Sequence, residues 1–188
     1  MLPLILASAS PRRRELLTAA GFQFTVDVAD VDERRRPEEE AEAYARRVAR
    51  SKAEAVSARR SGAVVLGADT IVVVDGDVLG KPVDDADAVA MLEKLSGRAH
   101  RVLTAVSLVG GPKPMDAIEE TVVWMHALAP QEIATYVQSG EPRDKAGAYG
   151  IQGLASRFIP RIEGSYTNVV GLPVAVVDRL LRGVSVVS

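Results

Sequence analysis

At 188 residues and a formal charge of −2, the chain is sized for one domain, or one domain with two lobes, and has no bulk basicity to draw it to nucleic acid. Hydrophobic residues make up 47% and charged residues 26%, the ordinary balance of a soluble globular protein with a substantial core. With no cysteine, disulfides and thiolate metal sites are excluded, and the two histidines, His100 and His126, form no zinc-binding pattern.

Leu2 to Ala7 reads as a short apolar strand. Ala7-Ser8-Ala9 faintly mimics a signal-peptide cleavage region, but the apolar part is too short and the basic cluster follows it instead of preceding it. No stretch approaches a membrane span in length, so a cytoplasmic protein that does not engage membranes is expected. Ser8-Ala9-Ser10-Pro11 then opens a helix, with Ser10 suited to the N-cap, Pro11 to the first position, and Gly21 to the end. Arg12, Arg13 and Arg14 crowd its first turn, where the helix end already carries partial positive charge. An anion docked among the free N–H groups, serines and guanidinium groups resolves that conflict. The plainer alternative is a solvated basic patch costing about a few tenths of a kcal/mol.

Phe22 to Val28 alternates well enough for a second strand. Asp30, Asp32 and Glu33 form an acidic loop, followed by Arg34-Arg35-Arg36, and charge alone reads the segment as solvated. Pro37 is expected to open a long helix to about Arg60, with Ala41, Tyr44, Ala45, Val48 and Val56 on its apolar stripe. Lys52 lies four residues from Val48 and four from Val56, so it sits on the inward stripe. It is either a snorkelling lysine or a cation aimed at an anion site.

The run from Ala63 to Val74 reads as a strand buried on both faces. Asp69 interrupts it and shares a face with Val65, Gly67, Ile71 and Val73. A carboxylate there is costly to bury unless paired, hydrogen-bonded or metal-bound. It is either a strand-end cap or a catalytic carboxylate. Gly67 leaves room beside it for a ligand or another backbone.

Val74-Asp75-Gly76-Asp77-Val78 is a hairpin signal. Leu79-Gly80-Lys81-Pro82 then brings Lys81 back near the end of the central strand, as a site cation or an ordinary loop lysine. Asp84 caps a helix through Leu95, with Ala88, Met91, Leu92 and Leu95 inward. Arg101 to Val109 and Ile118 to Leu128 form an antiparallel pair joined by Gly110-Gly111-Pro112-Lys113-Pro114, with Trp124 expected in the core. Pro130 starts a helix to about Ser139-Gly140. The glycine-dense segment Asp144 to Gly153 lines a ligand or closes on its own packing. Gly164 to Pro173 is similar, and Pro173 opens the last helix.

Taken together, Leu6-Ala7-Ser8-Ala9-Ser10-Pro11-Arg12-Arg13, Gly67-Ala68-Asp69-Thr70, Gly80-Lys81-Pro82, Asp144 to Gly153, Gly164-Ser165-Tyr166 and Val170-Gly171-Leu172-Pro173 resemble the Maf family of nucleoside triphosphate pyrophosphatases. The resemblance implies one Maf-like domain over 1–188 with an α/β fold like that of inosine-triphosphate pyrophosphatases: a twisted mixed sheet flanked by helices, in two lobes with a central cleft. It implies a homodimer that uses a divalent metal cation of the Mg, Mn or Co type and cleaves a nucleoside triphosphate to the monophosphate and pyrophosphate, with clearance of noncanonical nucleotides among the candidate purposes. Carried over residue by residue, Asp69 is the catalytic base. Ser8, Arg13, Lys52 and Lys81 hold the phosphates, and Arg12, Thr70 and Gln152 are specificity positions. Glu33 falls on an acidic family position and, with Asp69, is a candidate metal ligand.

The segment Ala146 to Gly153 looks like the branch acting on dTTP and UTP, since the 7-methyl-GTP branch has Glu where this chain has Gln152. A glutamine amide can pair with both the N3–H and a carbonyl of a uracil or thymine edge, whereas an ionised glutamate only accepts. Inner-phosphorus hydrolysis needs phosphoryl charge neutralised and water activated by a carboxylate, roles open to Arg13, Lys52, Lys81 and a metal on one side and Asp69 on the other. The alternatives are a 7-methyl-GTP or broader-specificity pyrophosphatase, or a non-catalytic nucleotide-binding regulator of cell division. Nucleic-acid binding is disfavoured by the overall acidity and the few aromatics.

Overall fold

Ten of the eleven residues of the strand Val64–Val74 are buried, because its β-branched and aliphatic side chains fill both faces of the sheet. It is β3 of a computed structural model that describes residues 2–184. In chain order the elements are β1 (Leu4–Leu6), α1 (Pro11–Ala19), β2 (Thr25–Val26), α2 (Ala41–Ser57), β3, β4 (Asp77–Leu79), α3 (Asp85–Leu95), β5 (Ala99–Val109), β6 (Met115–Trp124), α4 (Pro130–Gln138), β7 (Arg161–Glu163), α5 (Tyr166–Val170) and α6 (Val174–Leu181). Short 3-10 turns occupy Glu141–Asp144, Ala146–Ala148 and Leu154–Phe158.

The sheet runs β2-β1-β3-β5-β6-β7, with β4 added to β3. It is mixed: β1 is parallel to β2 and β3, while β3–β4 and β6–β7 are antiparallel. The short connection between the neighbouring strands β5 and β6 leaves room only for an antiparallel return. The expected α/β mixed sheet flanked by helices is therefore the architecture found.

Two compact units divide the described chain. The first contains residues 2–70, 104–119 and 171–184. Its packing follows the period of a strand: Val64, Leu66 and Ala68 join one cluster with Leu4, Leu6, Val176 and Val177, while Ala63 and Val65 join another with Ala53 and Val56 of α2. Asp69 is in phase with Val65, so it lies on the face covered by α2. The second unit contains 71–103 and 120–170, with its core built from Val72, Val74, Leu92, Leu95, Val123, Tyr136 and Phe158.

Several boundaries differ from the sequence reading. The long helix begins at Ala41, not Pro37. Glu38 takes a left-handed φ of 59°, and the Glu39 carboxylate binds Arg47 and the Arg36 N–H, which holds the preceding turn outside the helix. The second strand shrinks to Thr25–Val26, and Asp27 instead accepts from Arg59 and Arg60. Strand β6 starts and ends earlier than expected, because Met125 and His126 bond to Arg98 and Phe158. Trp124 is half-buried under the Arg161 guanidinium, 4.4 Å from its ring centre, and is not a core residue. The Leu154–Phe158 turn, β7 and α5 carried no clear sequence signal.

Candidate active site

Gly67 brings α2 unusually close to β3. A Cβ at Gly67 would stand 2.2 Å from the Ala49 carbonyl oxygen and 2.8 Å from the Ala53 nitrogen. The room noted in the sequence is thus taken by another backbone, and the contact sets Lys52 of α2 over Asp69 of β3. Lys52 Nζ donates to Asp69 Oδ1 at 2.9 Å and to Glu33 Oε2 at 2.8 Å. Lys52 and Asp69 are 7% and 8% exposed, whereas the Glu33 side chain is half exposed. Lys52 is therefore not a snorkelling lysine: its charge lies inside, between two carboxylates. The acidic loop that charge alone assigned to solvent supplies one of them. The Tyr44 hydroxyl fixes that loop by donating to the Glu33 carbonyl at 2.8 Å.

Burial pushes the Asp69 carboxyl above its ordinary range, against the opposing pull of Lys52 and Arg13. A carboxylate with raised proton affinity beside two cations is chemically suited to accept a proton from water. Asp69 and Glu33 are also hard oxygen donors already gathered around one cationic centre, the Lys52 ammonium. That donor set fits a divalent cation completed by phosphate oxygens and water, although no cluster of three or more His, Cys, Asp or Glu side chains stands ready among the described residues.

Arg13 is also inside, at 8% exposure. Its Nε donates to the Gly171 carbonyl at 2.8 Å, Nη1 to Ser8 Oγ at 3.1 Å and the Ala68 carbonyl at 2.9 Å, and Nη2 to Thr70 Oγ1 at 3.1 Å. Those bonds use four of its five N–H groups. Burial lowers its proton affinity, while Asp69 and Glu33 oppose that effect. Carbonyls and hydroxyls of the protein itself thus solvate this arginine at the helix N-terminus. Ser8 Oγ additionally accepts from the Ser10 N–H at 3.2 Å, and Ser10 caps α1 as expected. Arg12 lies half-buried in the first turn of α1. The Thr70 and Thr104 hydroxyls are 2.9 Å apart. Thr104 was missed in the sequence, although it breaks the apolar run of β5 just as Asp69 breaks that of β3.

The first unit thus gathers Ser8, Arg13, Glu33, Lys52, Asp69 and Thr70 through hydrogen bonds. Lys81 and Gln152 belong to the second unit, where both are exposed. The Gly147 N–H donates to the Gly80 carbonyl at 3.0 Å, tying the glycine-dense loop to the segment that carries Lys81. Among the described residues, the Gln152 side chain makes no hydrogen bond with its own loop, so the amide is not spent as an internal bridge. No helix of the described residues is long and apolar enough to cross a membrane.

Comparison with known proteins identifies the family of the chain. A family model described as "Maf-like protein" matches residues 3–184. A Symbiobacterium thermophilum protein is 57% identical over 173 residues, spanning 92% of this chain and 89% of that one. A Vibrio cholerae protein is 54% identical over 180 residues, with 95% and 96% covered. One from Koribacter versatilis is 52% identical over 179 residues, with 95% and 93% covered. All three are named dTTP/UTP pyrophosphatase. With the match running from the first strand to the last helix, this chain belongs to the Maf-like family.

Proposed function

We propose that this chain is a nucleoside triphosphate pyrophosphatase that hydrolyses dTTP and UTP, by preference, to the monophosphate and pyrophosphate. Its relatives' names support the activity. The observation that carries the mechanism is Asp69 buried on β3 with Lys52 at 2.9 Å. Asp69 accepts a proton from water as the water oxygen bonds to the phosphorus of the nucleoside-proximal phosphate. The bond from that phosphorus to the bridging oxygen breaks, and pyrophosphate leaves with the electron pair. Lys52 pulls against the burial that raises the proton affinity of Asp69 and carries positive charge beside the reacting phosphate; Lys81 adds a second cation. Arg13 holds Ser8, the β3 backbone at Ala68, and Thr70 in register, with one Nη2 hydrogen left for a phosphate oxygen. A divalent cation held by Asp69 and Glu33 would neutralise further phosphoryl charge.

Gln152 reads the base through its amide, accepting from N3–H and donating to a pyrimidine carbonyl, with Arg12 and Thr70 as the other specificity positions. Family resemblance supports those assignments and a homodimer. Pyrophosphate release measured across the common triphosphates tests the proposal: dTTP and UTP should exceed GTP, ATP and CTP in kcat/KM. Gln152→Glu should lose more on dTTP and UTP than on GTP, because an ionised carboxylate leaves the pyrimidine carbonyl without a donor. An equal loss on every triphosphate would remove Gln152 from base reading.

A further inference from the structure

Gln152 stands in a loop whose backbone is fixed from beneath by two residues that no sequence motif singled out. Tyr136 on α4 is 3% exposed, and its hydroxyl donates to Glu141 Oε1 at 2.9 Å. The same hydroxyl accepts from the Gly150 N–H at 3.2 Å. Glu141 Oε2 accepts from the Leu154 N–H at 2.8 Å. The two anchored N–H groups lie two residues to either side of Gln152. Between them Gly153 presses directly on the brace: a Cβ there would stand 2.3 Å from Glu141 Oε2. Lys145 closes the base of the arrangement by donating to the Glu141 carbonyl at 2.6 Å.

A half-buried loop can leave its N–H groups to water at little cost. Here a buried phenol and a carboxylate take them instead, and both lead back to Glu141. A carboxylate accepts from two donors without rearrangement, so the chain from Gly150 through Tyr136 to Glu141 and on to Leu154 is complete. The loop is thereby held as a rigid arch with the Gln152 side chain exposed at its crown. Discrimination by a paired amide needs its atoms held to about half an ångström, which an unbraced glycine-rich loop does not provide.

We propose that Glu141 and Tyr136 are positioning residues for base selection, holding Gln152 in the geometry that pairs with a pyrimidine edge. The proposal rests on the reading that Gln152 reads the base. Tyr136→Phe removes one hydroxyl with little change of volume and cuts the link between Gly150 and Glu141. It should lower the dTTP-over-GTP ratio of kcat/KM about tenfold, the worth of one hydrogen bond, mainly through a higher KM for dTTP. Glu141→Ala should do the same, and Glu141→Gln should recover part of the ratio because its amide oxygen can still accept from the Leu154 N–H.

The deciding measurement is a double-mutant cycle with Gln152→Ala, read on both dTTP and GTP. Tyr136→Phe should change the ratio in the wild-type background and leave it unchanged in Gln152→Ala. An equal loss on both substrates, or the same drop in ratio in both backgrounds, would overturn the brace and leave Tyr136 a packing residue. If Gln152→Ala alone keeps the wild-type ratio, base reading by Gln152 fails first, and the brace falls with it. Thermal melts of each variant separate loss of folded protein from loss of selection.

Discussion

Gly67→Ala is the sharpest probe of how the fold sets the chemistry. The added Cβ would meet the Ala49 carbonyl oxygen at 2.2 Å, the Ala53 nitrogen at 2.8 Å and the Ala53 Cβ at 2.9 Å. Ordinary carbon–oxygen approach is about 3.3 Å or more, so α2 must retreat from β3 by about 1 Å. Overpacking of this kind costs about 1–3 kcal/mol. At roughly 2–4 °C per kcal/mol for a chain of this size, Tm should fall by about 2–12 °C. The retreat carries Lys52 away from Asp69, and a misplacement of about 1 Å is enough to cost about 10²-fold in rate. Purified Gly67→Ala should therefore remain folded at 25 °C while losing about two orders of magnitude in pyrophosphate release from dTTP. Ala53→Gly should not rescue it, because the closest clash is with a main-chain carbonyl that no side-chain change removes. A Gly67→Ala protein with wild-type Tm and rate, or one restored by Ala53→Gly, would refute the claim that helix–strand contact places Lys52.

Asp69→Asn keeps the shape but cannot take a proton, and kcat should fall by about 10²–10⁴-fold while the variant stays folded by circular dichroism; near-normal turnover would disqualify Asp69 as the base. Chelation with EDTA should abolish turnover and added Mg²⁺ restore it, with Glu33→Gln raising the Mg²⁺ concentration needed; activity indifferent to EDTA would refute metal dependence. Burial holds the His100 imidazole, which pairs with the Tyr149 hydroxyl at 2.7 Å, down at about 4 from an ordinary 6.5. The folded protein therefore keeps His100 neutral where the unfolded chain protonates it, so its contribution is complete above about pH 6.5 and is lost as pH falls toward 4, by roughly 3 kcal/mol in total. Urea midpoints at pH 7.5 and 4.5 should differ less in His100→Asn than in the wild type, and identical pH slopes would remove His100 from the acid lability.

The fold was legible wherever a local pattern and the tertiary packing agreed. The unbroken β-branched run of β3, the Ser10-Pro11 start of α1, the Asp84 cap and the Asp75-Gly76 turn all formed where their residues indicated, because each is decided within a few positions. The failures lie where distant charges decide. Pro37 suggested a helix start, but Glu39 found Arg47, eight residues on, and unwound that turn. Trp124 is expected in the core, yet its ring takes Arg161 from β7, a strand that alternation could not reveal in three residues.

The candidate site divides along the same line. That Asp69 and Lys52 are inward and charged could be read from strand and helix periodicity, but the burial of Arg13, and which acceptor each cation serves, could not. Arg13 reaches Gly171, 158 residues away, and Thr70, 57 away, so its role depends on closure of the whole first unit. The resulting division of labour follows from charge type. Arg13's planar fork can satisfy several fixed acceptors at once and is committed to framework oxygens; Lys52's single ammonium on a flexible stem serves two carboxylates, one of them half exposed. An arriving triphosphate can compete with Glu33 for Lys52 without dismantling the core, whereas competing for Arg13 would unfasten Ser8, β3 and the turn before α6 together. The exchangeable charge therefore sits on the Lys52 side of Asp69, and the permanent charge on the Arg13 side.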